Sequence, residues 1–211
     1  MIGDIMTVSR LRMGTDGKGV TTLVTLFDCP LHCKYCINDF CHEKDIFEGK
    51  PRGAYTPAQL VKVLRKDDIY YKMSGGGVTF GGGEPLLQSA FIHEVCKLAD
   101  PAWKIRIETS LNVPWRCVEP VIKDIDEWII DIKDMDRDIY REYTGVSNDH
   151  LIDNMFRIEK LVDRSKLHIR LPRIPGFNTQ EDIDKSVKRI KDIVKVEPEV
   201  FDYIVTPEMN Y

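Results

Sequence analysis

The sequence contains little cysteine and no long apolar run. Only 6 of its 211 residues are cysteine, and no hydrophobic stretch is long enough to cross a bilayer. Residues 1–14 also lack the charged and apolar regions of a signal peptide. These absences predict a cytoplasmic protein with no membrane partner. In that reducing compartment, neighbouring thiols are more often metal ligands or catalytic groups than disulfides.

An excess of basic charge is absent as well. The formal net charge is −4, from 30 Lys and Arg against 34 Asp and Glu. Nonspecific nucleic-acid binding depends on clustered Lys and Arg, so no nucleic-acid partner is expected. With 43% hydrophobic and 30% charged residues, the composition is typical of a soluble globular protein. We predict one domain over residues 1–211 and, with no sign of obligate association, a monomer.

The sequence does contain an alternation of strand-like and helix-like segments. Six strands are predicted within residues 19–28, 75–85, 104–110, 127–133, 166–176 and 200–207. Between the first two, Thr56, Pro57 and Gln59 form the capping box of a predicted helix. The alternation predicts an α/β fold of parallel strands. A complete eight-unit barrel usually needs ~250 residues, which favours a partial TIM-type barrel, open on one side. A doubly wound sheet is the alternative.

Polar residues follow the predicted strands. Chemistry in parallel βα folds gathers at the carboxyl ends of the strands. Here those ends carry a cysteine loop over 28–43, a glycine-rich segment at 81–85, and the charged groups Glu108, Asp131 and Arg170. We therefore expect the functional residues to lie along one edge of the fold.

Three of the six cysteines lie within eight residues directly after the first predicted strand. Cys29, Cys33 and Cys36 have the spacing C-x3-C-x2-C. Three thiolates fill three corners of a cubane iron–sulfur cluster and leave one iron open. Electron-transfer clusters and structural zinc sites usually have four protein ligands. Cys41 follows closely and offers a fourth ligand, so a zinc site or a fully ligated cluster remains the alternative.

This spacing, in this place, resembles the radical S-adenosylmethionine enzymes. The resemblance implies one 4Fe–4S cluster on the three cysteines, with S-adenosylmethionine chelating the open iron. One electron then cleaves a carbon–sulfur bond of the cofactor, and the 5′-deoxyadenosyl radical so formed abstracts a hydrogen atom from the substrate. The resemblance also implies that Tyr35 lies against the adenine, and that the backbone of Gly82 and Gly83, with Glu84, holds the ammonium group.

Two further strand ends carry charge and hydroxyl groups. Glu108 and Ser110 end the third predicted strand, and Asp131 and Lys133 end the fourth. Carboxylates there suit a monovalent cation or the hydroxyls of a ligand. Lys133, or Arg170 on the fifth strand, suits a carboxylate. The alternative is that all five are solvated strand residues. We take them as cofactor-binding candidates, with a monovalent cation as a candidate ligand.

Longer phrases resemble one branch of the superfamily, the glycyl-radical-enzyme activating enzymes. They are "TDGKGVTTLVTLFDCPLHCKYCIN", "SGGGVTFGGGEPLLQ", "DIKDMDRDIYREYTGVSNDHLIDN" and "IRLPRIPGFN", which run in order from about residue 15 to 180. The resemblance implies a partial (β/α)6 barrel and a glycyl radical enzyme as the protein substrate, with a flavodoxin or ferredoxin as electron donor under anaerobic conditions. It implies that Asn38 belongs to the cofactor site and that Asp16 holds the incoming glycine loop. A simple Asp-Gly turn is the alternative for Asp16.

The chain departs from this family's pattern in three places. It leaves no room after the cysteine loop for an eight-cysteine insert, so one cluster is expected. It has no histidine after His168, where the family often carries one near S-adenosylmethionine. Gly81 stands where Ser or Thr is common, and Glu108 where Asp is familiar. Two other functions stay open: a radical enzyme for a small molecule, of the 7-carboxy-7-deazaguanine synthase type, and a non-enzymatic iron–sulfur or zinc protein.

Overall fold

A computed structural model describes residues 1–14, 16–43, 46–47, 50–51 and 53–205. The chain divides into two compact units. Unit 1 comprises Met1–Cys29, Phe40–Glu108 and Arg116–Glu127. Unit 2 comprises Pro30–Asp39, Thr109–Trp115 and the chain from Trp128 onward. The cysteine loop therefore contributes Cys29 and Cys41 to unit 1, and Cys33 and Cys36 to unit 2. That residues 1–211 form a single domain therefore stays a prediction.

Unit 1 contains most of the first half of the chain. Its elements are β1 (Gly3–Met13), β2 (Val20–Leu26), β3 (Ile46–Phe47), β4 (Lys50–Pro51), β5 (Gly53–Tyr55), α1 (Pro57–Leu64), α2 (Asp68–Ser74), β6 (Gly77–Gly82), α3 (Ser89–Leu98), β7 (Lys104–Thr109) and most of α4 (Trp115–Val118). Strands β2, β6 and β7 are parallel neighbours, while β1 lies antiparallel between β2 and β5. The carboxyl ends of β2, β6 and β7 consequently share one edge.

The helices of unit 1 begin where side chains cap them. The side chain of Thr56 accepts a hydrogen bond from the N–H of Gln59, and that of Gln59 accepts one from the N–H of Thr56. This confirms the predicted capping box, with Pro57 at the first helical position. Leu60 and Leu64 are buried on the inner face of α1. The α-helix ends at Leu64 and continues directly into the 3-10 turn Arg65–Asp67.

Strand β1 and helix α2, like the short strands β3 to β5, have no counterpart in the prediction. Strand β1 begins with buried Ile5 and Met6, but its outer half exposes Leu11 and Met13. Register shifts interrupt its pairing with β2, so the alternating pattern of a half-buried strand is lost. Helix α2 covers only Asp68–Ser74 and exposes Ile69 and Met73, which conceals its periodicity.

Unit 2 continues the βα pattern. Its elements are β8 (Glu127–Asp131, from Trp128 on), α5 (Arg137–Thr144), α6 (Asp149–Leu161), β9 (Leu167–Arg173), α7 (Gln180–Val194) and β10 (Glu199–Asp202). The order β10-β9-β8 is parallel throughout. Helices α6 and α7 bury one face each, through residues such as Met155 and Ile190. The parallel order and α/β class are therefore confirmed, as are the predicted strands, except that positions 206–207 of the last one lie outside the described residues.

The structure also shows the state of the cysteines and the lengths of the helices. All six cysteines lie within the described residues, and all six are thiols rather than disulfides. In the ranges that the structure describes, no helix combines the length and apolar character needed to cross a membrane.

Candidate functional site

Cys29 follows a strained backbone position in unit 1. Asp28 has φ 69°, the left-handed region, which costs a residue with a side chain of the order of 1 kcal/mol. Three backbone hydrogen bonds hold this bend: Asp28 N–H to the carbonyl of Cys41 (3.0 Å), Glu84 N–H to the carbonyl of Asp28 (2.8 Å), and Gly83 N–H to the carbonyl of Leu26 (2.9 Å). The glycine-rich segment after β6 is thus tied to the start of the cysteine loop.

Close backbone packing explains two of the glycines. A Cβ on Gly83 would lie 2.4 Å from the carbonyl oxygen of Asp28. Gly82 has φ 95°, and a Cβ there would lie 2.6 Å from the Cβ of Thr25. Any larger residue would separate β6 from the end of β2. These contacts account for both glycines by packing, so a ligand-binding role for their backbone stays a prediction.

Glu84 is buried, with 1% of its surface exposed. Its carboxylate accepts a hydrogen bond from the N–H of Leu86 at 3.2 Å and so caps the short 3-10 helix Pro85–Gln88. A buried carboxylate that caps a helical turn has a fixed position. The predicted contact of Glu84 with an ammonium group is a separate matter, which stays a prediction.

Glu108 occupies space that Gly81 leaves open. An added Cβ on Gly81 would lie 3.0 Å from Oε2 of Glu108 and 3.4 Å from its Cβ. The two departures from the family pattern noted in the sequence are therefore in contact. A side chain at position 81 would therefore meet Glu108 at its first carbon.

Asp16 lies in an ordered turn and is only 4% exposed. The guanidinium of Arg12 binds its carboxylate at two points, Nε to Oδ2 and Nη2 to Oδ1, the latter at 3.2 Å. The Asp16 hydrogen bond, together with the charges of Asp16 and Glu108, raises the pKa of Arg12 against the effect of burial. The hydroxyl of Thr79 donates to the Asp16 carbonyl at 2.7 Å. Asp16 is thus held by the side chains of Arg12 and Thr79 in addition to its own Asp-Gly turn.

Arg106 supports this turn and was missed by sequence reasoning. It is 3% exposed, and its Nε donates to Glu127 at 2.6 Å. Its Nη2 donates to the carbonyl of Lys18 at 3.0 Å, and its side chain packs so closely on Gly17 that a Cβ there would lie 2.4 Å away. An arginine between Ile105 and Ile107, in the middle of a strand, is the signal that could have drawn attention to it.

In unit 2, Cys33 and Cys36 lie on one tight turn. The N–H of Cys36 donates to the carbonyl of Cys33 at 3.2 Å. Two further backbone bonds tie the same loop to the end of α5: His32 N–H to the carbonyl of Thr144 (2.8 Å) and Lys34 N–H to that of Tyr143 (3.1 Å). Both thiols are partly buried. Asn38 follows on the same loop and is also partly buried.

Tyr35 belongs to an aromatic cluster of unit 2. Its ring centroid lies 6.0 Å from that of Tyr143, 5.7 Å from that of Phe177 and 6.5 Å from that of Tyr203. Its hydroxyl donates to the carbonyl of Pro175 at 3.4 Å. Aromatic pairs at these separations stabilise one another, so the ring of Tyr35 is held beside the two cysteines. Its predicted contact with an adenine is untested.

Asp131, Lys133 and Arg170 form one charged group. Arg170 binds the Asp131 carboxylate through Nε at 2.6 Å and Nη2 at 3.0 Å, and Lys133 Nζ lies 3.7 Å from the same carboxylate. Burial opposes ionisation of Asp131, but Lys133 and Arg170 outweigh it and hold its pKa below the usual range. Burial likewise opposes the charge of Lys133, whose pKa is nevertheless raised, chiefly by Asp131. The geometry is a two-point arginine–carboxylate pair.

Ser110 begins a segment that asparagine residues fix through hydrogen bonds. Its hydroxyl accepts the N–H of Asn112 at 3.3 Å, and the next residue, Leu111, has φ 56°. The Asn154 side chain donates to the carbonyls of Leu111 (2.9 Å) and Val113 (2.7 Å). Asn154 ends the family-like segment that begins at Asp131, but the sequence alone assigned it no role. The repeated asparagines of that segment were the available signal.

Cys41 packs among apolar side chains of unit 1. It is 1% exposed and lies in a cluster with Met6 and Phe27, against which Cys29 and Phe40 also pack. This position favours a packing role for Cys41 over that of a fourth ligand. Within the described ranges, no three His, Cys, Asp or Glu side chains are arranged to hold a single metal ion. A cubane cluster spreads its thiolates over several irons, and the soft thiol donors on this loop suit that chemistry.

Comparison with known families defines the class. The model of the Radical SAM superfamily matches residues 23–190. The chain therefore belongs to the radical S-adenosylmethionine superfamily. Membership implies S-adenosylmethionine and a 4Fe–4S cluster as cofactors. SuiB of Streptococcus suis, solved with S-adenosylmethionine bound, has a TM-score of 0.64 at 19% identity and covers 89% of this chain and 42% of its own. That likeness confirms the fold of the superfamily's partial barrels.

Curated relatives narrow the family. The 4-hydroxyphenylacetate decarboxylase activating enzyme of Clostridioides difficile is 38% identical over 169 residues, 80% of this chain and 48% of the relative. The (2S)-3-sulfopropanediol dehydratase activating enzyme of Klebsiella oxytoca is 35% identical over 77% of this chain and 69% of the relative. Within the superfamily, the chain belongs to the glycyl-radical-enzyme activating enzymes. It spans about half the length of the Clostridioides difficile relative.

Proposed function

We propose that this chain installs a glycyl radical in a partner enzyme. The cluster and S-adenosylmethionine would together supply one electron, methionine as the leaving group, and a 5′-deoxyadenosyl radical that takes a hydrogen atom from a glycine Cα. The observation that carries the proposal is the C-x3-C-x2-C loop in a chain of the activating-enzyme family. The relatives act, by their names, on a decarboxylase and a dehydratase.

The proposal gives Cys29, Cys33 and Cys36 the role of cluster ligands. Backbone hydrogen bonds hold the bend at Asp28, before Cys29, in unit 1, and separately close the Cys33–Cys36 turn in unit 2. A fixed turn suits cluster binding because Cys33 and Cys36 need little reorganisation to bind iron. Cys41, buried with Met6 and Phe27, is left out of the ligand set.

The remaining candidates are proposed to bind S-adenosylmethionine. In unit 1 they are Gly82, Gly83, Glu84 and Glu108. In unit 2 they are Tyr35, Asn38, Ser110, Asp131, Lys133 and Arg170. The charges match the ligand: its amino group seeks a carboxylate and its carboxylate a cation. Because Arg170 is already bound to Asp131, Lys133 is the cation with more freedom to turn toward a ligand.

Asp16 is proposed to receive the glycine loop of the partner. Its turn is rigid, since Arg12, Thr79 and Arg106 fix it from three directions. A rigid, buried acid positions a peptide more accurately than an exposed one. A flavodoxin or ferredoxin as electron donor, a bound monovalent cation, a monomeric state and a cytoplasmic location complete the proposal, on the basis of composition and family.

The test is anaerobic reconstitution with iron and sulfide, followed by dithionite and S-adenosylmethionine. The wild type should form 5′-deoxyadenosine, and Cys33→Ala should form none. Cys96→Ala is the matched control, because that thiol lies on α3 and burial raises its pKa to about 12. Product formed equally by Cys33→Ala would overturn the cluster assignment. Iron and zinc are counted in each sample, so that a poorly reconstituted protein is recognised.

The partner is tested in the same samples. Mixing with candidate glycyl radical enzymes should give an electron paramagnetic resonance signal of a glycyl radical in the partner. If S-adenosylmethionine is cleaved but no candidate acquires a radical, while a small molecule is turned over, the small-molecule function is the correct one.

A further inference from the structure

Tyr203 reaches the cysteine turn from the end of the last described strand. Its N–H donates to the carbonyl of Arg173 at 2.9 Å, which extends the pairing of β10 with β9 by one residue. Its phenol donates to the carbonyl of Tyr35 at 2.5 Å, a contact between positions 168 residues apart in the chain. That carbonyl belongs to the peptide bond that joins Tyr35 to Cys36.

The surroundings of Tyr203 link it to both cysteines of unit 2. Its ring stacks on that of Tyr35, with centroids 6.5 Å apart and planes inclined by 26°. Its phenol also hydrogen bonds to that of Tyr143, and Lys133, Cys33 and Cys36 are its electrostatic neighbours. One side chain therefore touches the turn that carries two thiols and lies beside the charged group of Asp131, Lys133 and Arg170.

We propose that Tyr203 is a positioning residue for the cluster and for S-adenosylmethionine, an inference that rests on the proposed function. The Cys33–Cys36 turn is closed by one hydrogen bond, from the Cys36 N–H to the Cys33 carbonyl at 3.2 Å. That bond uses the N–H of the Tyr35–Cys36 peptide, and the carbonyl of the same peptide accepts the phenol of Tyr203. Tyr203 holds it, and so fixes the direction in which Cys36 leaves the turn.

A second consequence concerns the ring. Tyr35 is packed by Tyr143, Phe177 and Tyr203 on different sides. Loss of the Tyr203 ring would free one side of Tyr35, whereas loss of the hydroxyl alone would free the peptide and the Tyr143 phenol. The two functions of Tyr203 can therefore be separated by two substitutions.

The experiment compares Tyr203→Phe with wild type and with Tyr70→Phe. Tyr70 is half exposed on α2 and undergoes the same chemical change in unit 1. After anaerobic reconstitution, two quantities are measured: the rate at which a chelator removes iron, and the dissociation constant for S-adenosylmethionine. Loss of the partly buried hydrogen bond to the Tyr35 carbonyl, and of the one to the Tyr143 phenol, should accelerate iron removal about three- to tenfold and raise that constant to a similar extent.

The controls separate positioning from folding. Thermal unfolding of the apoprotein should differ little between Tyr203→Phe and Tyr70→Phe, because the ring and its stacking remain. Tyr203→Leu, which also removes the ring, should weaken S-adenosylmethionine binding further. Iron removal and binding unchanged in both Tyr203 variants would overturn the inference while the proposed function stands. A wild type that holds no four-iron cluster would instead overturn the proposed function itself.

Discussion

At the residue scale, Gly81 and Glu108 behave as a matched pair. The sequence departs from its family at both positions, and the structure brings them into contact at the point where a Cβ on residue 81 would lie 3.0 Å from Oε2. The Glu108 side chain lies against the space that the missing side chain of Gly81 leaves open. The carboxylate that results also acts on Arg12, the partner of Asp16. Two changes that are separate in the sequence are thus one feature of the fold.

This pairing predicts a coupled effect on stability. Gly81→Ala gains roughly 0.4–1 kcal/mol from the stiffer unfolded chain but presses against Glu108. We expect Gly81→Ala to be better tolerated, by about 1 kcal/mol, in the Glu108→Asp background than in the wild type. The measurement is a double-mutant cycle in urea, with Glu108→Asp alone as the fourth corner. Additive effects of the two substitutions would show that the residues do not compete for space.

The residues of the site were predictable to different degrees. Cys29, Cys33, Cys36 and Glu84 stand out because their spacing and strand-end position carry chemistry that few other residues supply. The Asp131–Arg170 pair was foreseeable from the strand ends. Tyr203 and Arg106 were not, since their partners are backbone carbonyls at residues 35 and 18, and no pattern of letters records which carbonyl a side chain reaches.

At the scale of elements, the segment between β7 and α4 is held by hydrogen bonds from Asn154, which lies later in the chain on α6. Leu111 has the left-handed φ of 56°, and Asn154 on α6 donates to the carbonyls on both sides of Asn112. Asn112 in turn accepts the N–H of Leu151 at 3.1 Å. Helix α6 and this segment therefore form one hydrogen-bonded structure, which places Ser110.

Asn154→Ala should lower the free energy of unfolding by about 2–3 kcal/mol. The substitution leaves two carbonyls without the amide donor in a site where Asn154 itself is 2% exposed. Urea unfolding should show a lower midpoint with an unchanged slope. Asp153→Ala, one residue away on the exposed side of α6, is the control and should change stability by less than about 0.5 kcal/mol. Equal midpoints in the two variants would contradict the structural role of Asn154.

The elements themselves follow the sequence where burial is periodic. Helix α1 was predicted with its cap, since Thr56 and Gln59 interact locally. Strand β1 and helix α5 were missed. β1 loses its alternation at the register shifts, and α5 covers only eight residues, Arg137–Thr144. Short or irregular elements acquire their structure from neighbours in the fold, which a local pattern does not include.

At the scale of the whole molecule, the charged group in unit 2 predicts how stability depends on pH. The folded pKa of Asp131 lies below its unfolded value of about 3.9. Its stabilisation is therefore complete above that value and is lost as the pH falls through the folded pKa. Asp134 has a raised pKa because it is buried, so its contribution has the opposite sign and is lost as the pH rises.

Asp131→Asn should flatten the acid side of the stability curve. The variant is less stable at pH 7, because Arg170 and Lys133 lose their carboxylate, but its stability should fall less between about pH 5 and 3 than that of the wild type. The measurement is urea unfolding at a series of pH values, with Asp153→Asn as the control. Identical acid slopes in Asp131→Asn and wild type would show that Asp131 is not the titrating group.

The class of fold was readable from the chain as a whole. Alternation and length led to a partial α/β barrel of parallel strands, which the strand order and the likeness to SuiB confirm. The division of the cysteine loop between unit 1 and unit 2 was not readable. That division depends on tertiary contacts, which form only in the folded chain and are not recorded in the local sequence.

The buried thiol of Cys41 can report local unfolding of unit 1. The carbonyl of Cys41 helps to hold the bend before Cys29, while its thiol is packed with Met6 and Phe27. A thiol that is 1% exposed reacts with an alkylating reagent only when unit 1 opens locally. In the apoprotein, Cys41 should therefore be labelled far more slowly than the partly buried Cys33, as mass spectrometry of the digested chain would record. Its labelling rate would then time the opening of the region from which the cysteine loop begins.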